Sequence, residues 1–382
     1  MQPSRISQEI PPSGIREVFN RVAESKDVIS FALGEPDFTT PKPIIEAAYN
    51  SLLNGETHYT PNAGLYALRS AIAASYPNRN YSPEQVVVGA GGTESIFLTL
   101  ISLLNPGDEV ILSEPYWSNY VGQILTCRGV PKFVRTYEED GFSLKPEAVE
   151  GAITDKTKVI IINSPANPTG AVISKEDLRG LADLAIRHNL IVLSDEVYRD
   201  ILFEGKFESI TDFEDVREQC IVINSFSKSY AMTGWRIGYA IAPKNIAAVM
   251  TKMHENSASC ISAFSQKAAL KALEIGKPYI QEMVKEFAIR RDLMVNGIRS
   301  IPGLNSFGPI ATFYLYFNIS GTGMNSREFV FSLLEKEKVA LVPGSAFGNG
   351  QENYVRLSFA SSQENLCKGL ERIANFVDRL KH

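Results

Sequence analysis

The sequence predicts an α/β fold: a large domain built on a mostly parallel central sheet flanked by helices, and a smaller α+β domain beside it. Three observations carry this. From Val86 onward, short apolar runs alternate with longer helical stretches, the pattern of βαβ units. The chain has 382 residues, more than one small core needs. Residue types that carry chemistry fall just after the apolar runs, where parallel sheets hold ligands.

Taken in order, the residues up to about Asp27 read as a polar, proline-containing arm with a helical piece from Ile15 to Val22. Val28–Leu33 is an apolar run that stops at Gly34-Glu35-Pro36-Asp37. Pro43–Leu53 and Leu65–Tyr76 read as helices around a loop that holds Tyr59. Strands are expected at Val86–Gly89, Glu109–Ser113, Lys132–Tyr137, Lys158–Asn163, Leu190–Ser194, Cys220–Ile223 and Arg236–Ala242. Helices are expected at Glu94–Leu104 and Lys175–His188. Beyond Lys285, a helix at Glu286–Ile298 precedes strands at Phe313–Phe317, Val339–Pro343 and Tyr354–Phe359, and a helix at Leu366–Leu380 closes the chain. The boundaries follow: residues 1–45 for the arm and part of the smaller domain, 46–284 for the large domain, and 285–382 for the C-terminal small domain.

Composition narrows the function. The chain is 44% hydrophobic and 21% charged, and its net charge of −5 offers no basic field to nucleic acid. Its four cysteines are widely spaced, which fits a reducing cytoplasm, not a disulfide framework. His58, His188, His254 and His382 lack metal-ligand spacing. No apolar stretch is long enough to span a membrane.

The chemistry concentrates at Asn224–Gly238. Lys228 sits after an apolar strand, between Ser227 and Ser229, with Ser225 before it and Arg236 beyond. A desolvated lysine loses its proton easily and can form a Schiff base. The hydroxyls and the guanidinium suit a phosphate. A lysine for an aldehyde beside Ser/Ser/Arg for a phosphate describes pyridoxal 5′-phosphate. Other strand ends agree. Ala90-Gly91-Gly92-Thr93 opens a helix and forms an anion site. Glu114-Pro115-Tyr116-Trp117 places an aromatic to stack on a flat ring. Ser164–Gly170 and Asp195-Glu196-Val197-Tyr198 follow two further strands. Arg356, alone among apolar neighbours, needs a partner, either a substrate carboxylate or an internal acid.

On these motifs the sequence resembles the class I (fold-type I) pyridoxal-phosphate-dependent aminotransferases, in particular the branch with prokaryotic aspartate and aromatic aminotransferases. Asn-Pro-Thr-Gly, Asp-Glu-Val-Tyr, Ser-x-Ser-Lys and Gly-Trp-Arg-Ile-Gly occur in that family's order, and the likeness runs from Ser13–Arg16 to Val355–Ser358. The resemblance implies that Lys228 bonds the cofactor and then moves the substrate's proton. It implies that Asp195 pairs with the pyridine nitrogen, that Tyr198 and Asn167 bond the phenolic oxygen, and that Trp117 stacks on the ring. Gly91, Gly92, Thr93, Ser225, Ser227 and Arg236 would hold the phosphate. Tyr59 would reach it from the other subunit of a homodimer. Arg356 would bind the substrate α-carboxylate with Asn167 and Gly34, and Ile15 would line the entrance. The bonds before Pro115 and Pro168 would be cis. The implied reaction moves an amino group from an L-amino acid, aspartate or aromatic, to a 2-oxo acid such as 2-oxoglutarate.

Alternatives within the fold are action on N-acetyl-diaminopimelate and C–S lyase chemistry. A remoter one is an NAD-dependent oxidoreductase, because Gly89–Glu94 begins like a dinucleotide fingerprint, although Glu94 takes the third glycine's place.

Overall fold

The computed structural model describes residues 2–10, 14–23 and 27–380. Pro11, Pro12 and Ser13 of the arm, and His382, lie outside the described residues. The first strand, β1 (Ile29–Ser30), stands apart from the main sheet. That sheet has seven strands: β2 (Val86–Gly89), β3 (Glu109–Glu114), β4 (Val130–Arg135), β5 (Thr157–Asn163), β6 (Ile191–Asp195), β7 (Cys220–Ser225) and β8 (Gly238–Ile241). Their order is β2-β8-β7-β6-β5-β3-β4.

Pairing is parallel from β7 through β6, β5 and β3 to β4, and β8 runs against both of its neighbours. The cause lies in the connections. Helix Lys175–His188 lies between β5 and β6, giving room for a right-handed crossover. The connection from β7 to β8 holds only the four-residue helix Phe226–Ser229 and a 3₁₀ turn, so the chain doubles back. Strands covered on both faces need near-continuous apolar runs, and every residue of β2 and β7 is buried. Helix Lys175–His188 shows how local chemistry sets the ends: Ser174 accepts the Asp177 N–H at its start, and Asn189 stops it at φ 52°.

The smaller unit is a three-stranded antiparallel sheet, β11-β12-β9, made of β9 (Tyr314–Asn318), β11 (Val342–Pro343) and β12 (Tyr354–Ser358). Between β9 and β11 in the chain, β10 (Val339–Ala340) pairs in parallel with β1. Helices Pro278–Ser300 and Gln363–Arg379 pack on this unit, through a core that includes Phe287, Met294, Phe313, Phe317, Val355 and Phe376.

The architecture is the expected α/β fold, with local differences. The run Val339–Pro343 is two strands, because β10 pairs with β1 while β11 pairs with β12. The helix expected at Glu286 begins at Pro278, whose ring suits a first helical turn. Lys132–Tyr137 shifts to Val130–Arg135, where Val130 pairs with Glu109. Arg236 lies outside β8 in a left-handed turn at φ 52°.

The reversal at β8 presses Gly238 onto the turn after β2. A Cβ on Gly238 would lie 2.6 Å from both Gly91 C and Gly92 N, which are backbone atoms that cannot swing aside. Gly238→Ala is therefore expected to lose about 1–3 kcal/mol of stability in urea unfolding. Gly151→Ala, whose Cβ meets only ordinary contacts at 3.7 Å, should stay close to the parent.

Candidate active site

A cavity of about 560 Å³ opens where β5, β6 and β7 end. Gly34, Gly92, Thr93, Trp117, Asn167, Asp195, Tyr198, Ser225, Ser227, Lys228, Arg236 and Arg356 all line it, as does Ile15 from helix Gly14–Ala23. Gly91 sits just behind this lining, against Arg236. Tyr59 does not line it and is 93% exposed in the single chain.

One end is an anion cradle. Gly91, at φ 84°, caps helix Gly92–Leu103, whose first residues, Gly92 and Thr93, line the cavity. Ser225 Oγ lies 2.9 Å from Ser227 Oγ and accepts the Ser227 N–H at 3.1 Å. Arg236 donates to Thr233 O at 2.9 Å and to Ala90 O at 3.1 Å, which fixes its guanidinium beside the turn.

Asp195, the last residue of β6, is 3% exposed. Its carboxylate accepts from the Tyr120 hydroxyl at 2.5 Å and from the Val197 N–H at 3.3 Å, both neutral donors. Burial raises its pKa to about 6, against the pull of those bonds. Such a carboxylate favours a cation that would restore its charge. Trp117 packs edge-on against Tyr120, with centroids 5.2 Å apart.

Lys228 projects from the short helix Phe226–Ser229, and its Nζ donates to Gly34 O at 2.5 Å. Burial lowers its pKa from the ordinary 10.5 to about 8. Glu35 and Asp195 oppose that shift, while Arg356 and Arg236 add to it.

The far end holds Arg356, which is 1% exposed. It donates to Asn167 Oδ1 at 3.0 Å and to Ala32 O at 2.7 Å, and its Nε has no hydrogen-bond partner. Among the described residues no acid pairs with it, and burial lowers its pKa. The internal-acid alternative for Arg356 is therefore absent from these contacts. The Tyr198 hydroxyl lies 2.9 Å from that of Tyr314. Gly34 is required where it stands, because a Cβ there would overlap the Tyr314 hydroxyl. The bonds before Pro115, Pro165 and Pro168 are cis, the second of these being additional to the two expected.

Sequence reasoning missed Tyr120, Tyr314 and Arg16, all of which line the cavity. Tyr120 carried a weak signal, standing three residues past Trp117 at the start of helix Asn119–Thr126. Tyr314 carried none, because only strand register brings it here.

The cradle, the buried carboxylate with neutral partners and the depressed lysine fit pyridoxal phosphate at its phosphate, ring nitrogen and aldehyde. With the sheet order above, they define an enzyme of the type I pyridoxal-phosphate fold. The chain belongs to the family "Aminotransferase class I and II", whose model matches residues 26–373. It is similar to the aspartate aminotransferase of Thermotoga maritima, 41% identical over 98% of this chain and 99% of that protein. It is also similar to the aromatic-amino-acid aminotransferase 2 of Thermococcus litoralis, 38% identical over 97% of each. The structure of Thermus thermophilus aspartate aminotransferase with maleate superposes with a TM-score of 0.94, at 37% identity over 98% of this chain and 99% of that one. The protein is thus a transaminase that uses pyridoxal phosphate, with amino acids and 2-oxo acids as its substrate classes. The dinucleotide reading falls away. Glu94 Oε2 accepts the Ala90 N–H, closing the turn with a side chain where a third glycine would leave room. Among the described residues no cluster of His, Cys, Asp or Glu could hold a metal ion, and no helix is long and apolar enough to cross a membrane.

The lowered lysine pKa has a direct readout. In protein stripped of cofactor, trapping of a small aldehyde on Lys228 should rise with pH and level off above about 8. A lysine in water would keep gaining reactivity to about 10.4. Borohydride reduction and peptide mass mapping would locate the midpoint.

Proposed function

We propose that the cavity residues divide the work of amino-group transfer among themselves, and that the donors are acidic and aromatic L-amino acids. Bound pyridoxal phosphate supplies an aldehyde that takes up the amino group and a ring that draws electrons from the substrate Cα. Gly91, Gly92, Thr93, Ser225, Ser227 and Arg236 hold the phosphate. Asp195 holds the positive charge at the ring nitrogen, and Trp117 covers the ring face. Tyr198 and Asn167 bond the phenolic oxygen. Lys228 Nζ, kept neutral by burial, takes the proton from Cα. Arg356, with Asn167 and the Gly34 backbone beside it, fixes the α-carboxylate, so that the Cα–H bond presents itself to the lysine.

The observation that carries the substrate range is the wall contributed by helix Gly14–Ala23 and its neighbours. Arg16 lines the cavity together with Ile15, Phe19, Leu33 and Trp117. One cation set in an apolar and aromatic wall suits a distal carboxylate and an aromatic ring alike. The printed names of the relatives, aspartate and aromatic aminotransferases, support the same pair of donors. The acceptor is a 2-oxo acid of the 2-oxoglutarate type, a dicarboxylate.

Tyr59 completes the phosphate site of a second copy in a homodimer. Its 93% exposure supports this, as do exposed Tyr49, Leu53 and Tyr66 on the helices that precede and follow it in the chain. The free cysteines fit work in the cytoplasm. The chain divides at residues 46–284 for the cofactor domain, with 1–45 as the arm and part of the smaller domain and 285–382 as its C-terminal part. Helix Pro278–Ser300 runs through the latter boundary.

Single amino acids added without any oxo acid should convert the cofactor's visible band to that of its amine form, with aspartate and phenylalanine fastest. Lys228→Ala should abolish the conversion. Arg16→Leu should weaken aspartate by about tenfold or more in kcat/KM and leave phenylalanine nearly unchanged. Equal losses on both donors would remove Arg16 from substrate choice. In a separate test, Tyr59→Phe should release cofactor several-fold faster on dialysis while the protein keeps its dimeric mass; a monomer with full retention would refute sharing.

A further inference from the structure

Tyr314 is buried at the base of the cavity and touches three groups from three other parts of the chain. Its hydroxyl lies 2.9 Å from the Tyr198 hydroxyl, which follows β6. The same hydroxyl abuts Gly34, whose carbonyl receives the Lys228 amine. Its ring faces the Arg356 guanidinium, 4.4 Å from centre to centre.

The register explains the last contact. Tyr314 pairs with Ser358, and Arg356 pairs with Tyr316, so Tyr314 and Arg356 are diagonal neighbours on one face of the β9–β12 ladder. Phe347 packs near the same guanidinium, at 4.9 Å. Arg356 thus keeps its charge between aromatic rings instead of beside an acid, which leaves that charge for an incoming carboxylate.

We propose that Tyr314 is a positioning residue with two separable parts. Its hydroxyl tunes Tyr198, and its ring holds Arg356 ready for carboxylates. This rests on the roles given above to Tyr198 and Arg356. When Tyr198 donates toward the cofactor's phenolic oxygen, the Tyr198–Tyr314 bond runs from the Tyr314 O–H to Tyr198 Oη. A hydroxyl that receives a bond donates a stronger one. The ring acts differently: it stabilises a desolvated cation without neutralising it.

Two variants separate the parts. Tyr314→Phe keeps the ring and loses the hydroxyl. A weaker Tyr198 bond to the phenolic oxygen favours the protonated cofactor–lysine linkage, so the pH midpoint of the holoenzyme's visible band should move up by about half a unit. Succinate, titrated against that band, should bind within about twofold of the parent. Tyr314→Leu loses both parts and should weaken succinate by about tenfold or more. If the leucine protein does not accumulate, Tyr314→Met, unbranched and better able to adapt to the space without a ring, carries the same expectation. An unmoved midpoint in Tyr314→Phe overturns the hydroxyl's part. Parent-like succinate affinity in the ringless variant overturns the ring's part. The Tyr198→Phe midpoint separates the underlying reading from this one. If Tyr198→Phe leaves the midpoint alone, the role of Tyr198 itself fails; if it shifts the midpoint and Tyr314→Phe does not, only the inference fails.

Discussion

Removal of water is the constraint on which this cleft depends. Burial acts in opposite directions on acids and bases, and here it pushes both toward neutrality: Asp195 up to about 6, Lys228 down to about 8. Arg356, 1% exposed and packed against the Tyr314 and Phe347 rings, has no acid beside it among the described residues. Under the roles proposed above, each group meets what a ligand brings: a ring cation, an aldehyde, a carboxylate. In a site of low dielectric those pairings are stronger than they would be in water, and the protein groups are already in place when the ligand arrives.

Few structural devices bring these groups together. Parallel β5, β6 and β7 end side by side, so the Asn163, Asp195 and Ser225 strand ends share one rim. The single reversed strand, β8, folds Arg236 back over the same rim and seats Gly238 on the Gly91–Gly92 backbone. The β9–β12 ladder closes the opposite side and supplies Arg356 and Tyr314. Helix Gly14–Ala23 adds the outer wall with Ile15, Arg16 and Phe19. The cavity therefore draws on both sheets and on helix Gly14–Ala23, and its shape depends on how those parts pack.

Much of this could be read from residue order. Apolar runs and helix caps are local, so strands β2 to β7 fell within a few residues of their expected places, as did helix Lys175–His188. Lys228, Asp195 and the Gly91–Thr93 turn announced themselves because their chemistry sits at strand ends, a position the chain's own pattern marks. Errors came where partners are distant. Val339–Pro343 looked like one strand, and splits because its two halves pair with strands far apart in sequence.

Local composition and spacing were enough for the mostly parallel α/β fold and for placing the glycine turn, the serines and the buried lysine at strand ends, because a side chain's type and its place beside a strand or helix end are properties of neighbouring residues. Register and packing over hundreds of residues decided the rest. They set Tyr314 against Tyr198 and Gly34, laid its ring on Arg356, left that arginine without an internal acid, and brought Arg16 to the cavity wall. No local pattern encodes those meetings, since each depends on strand pairing or packing between segments far apart in the sequence.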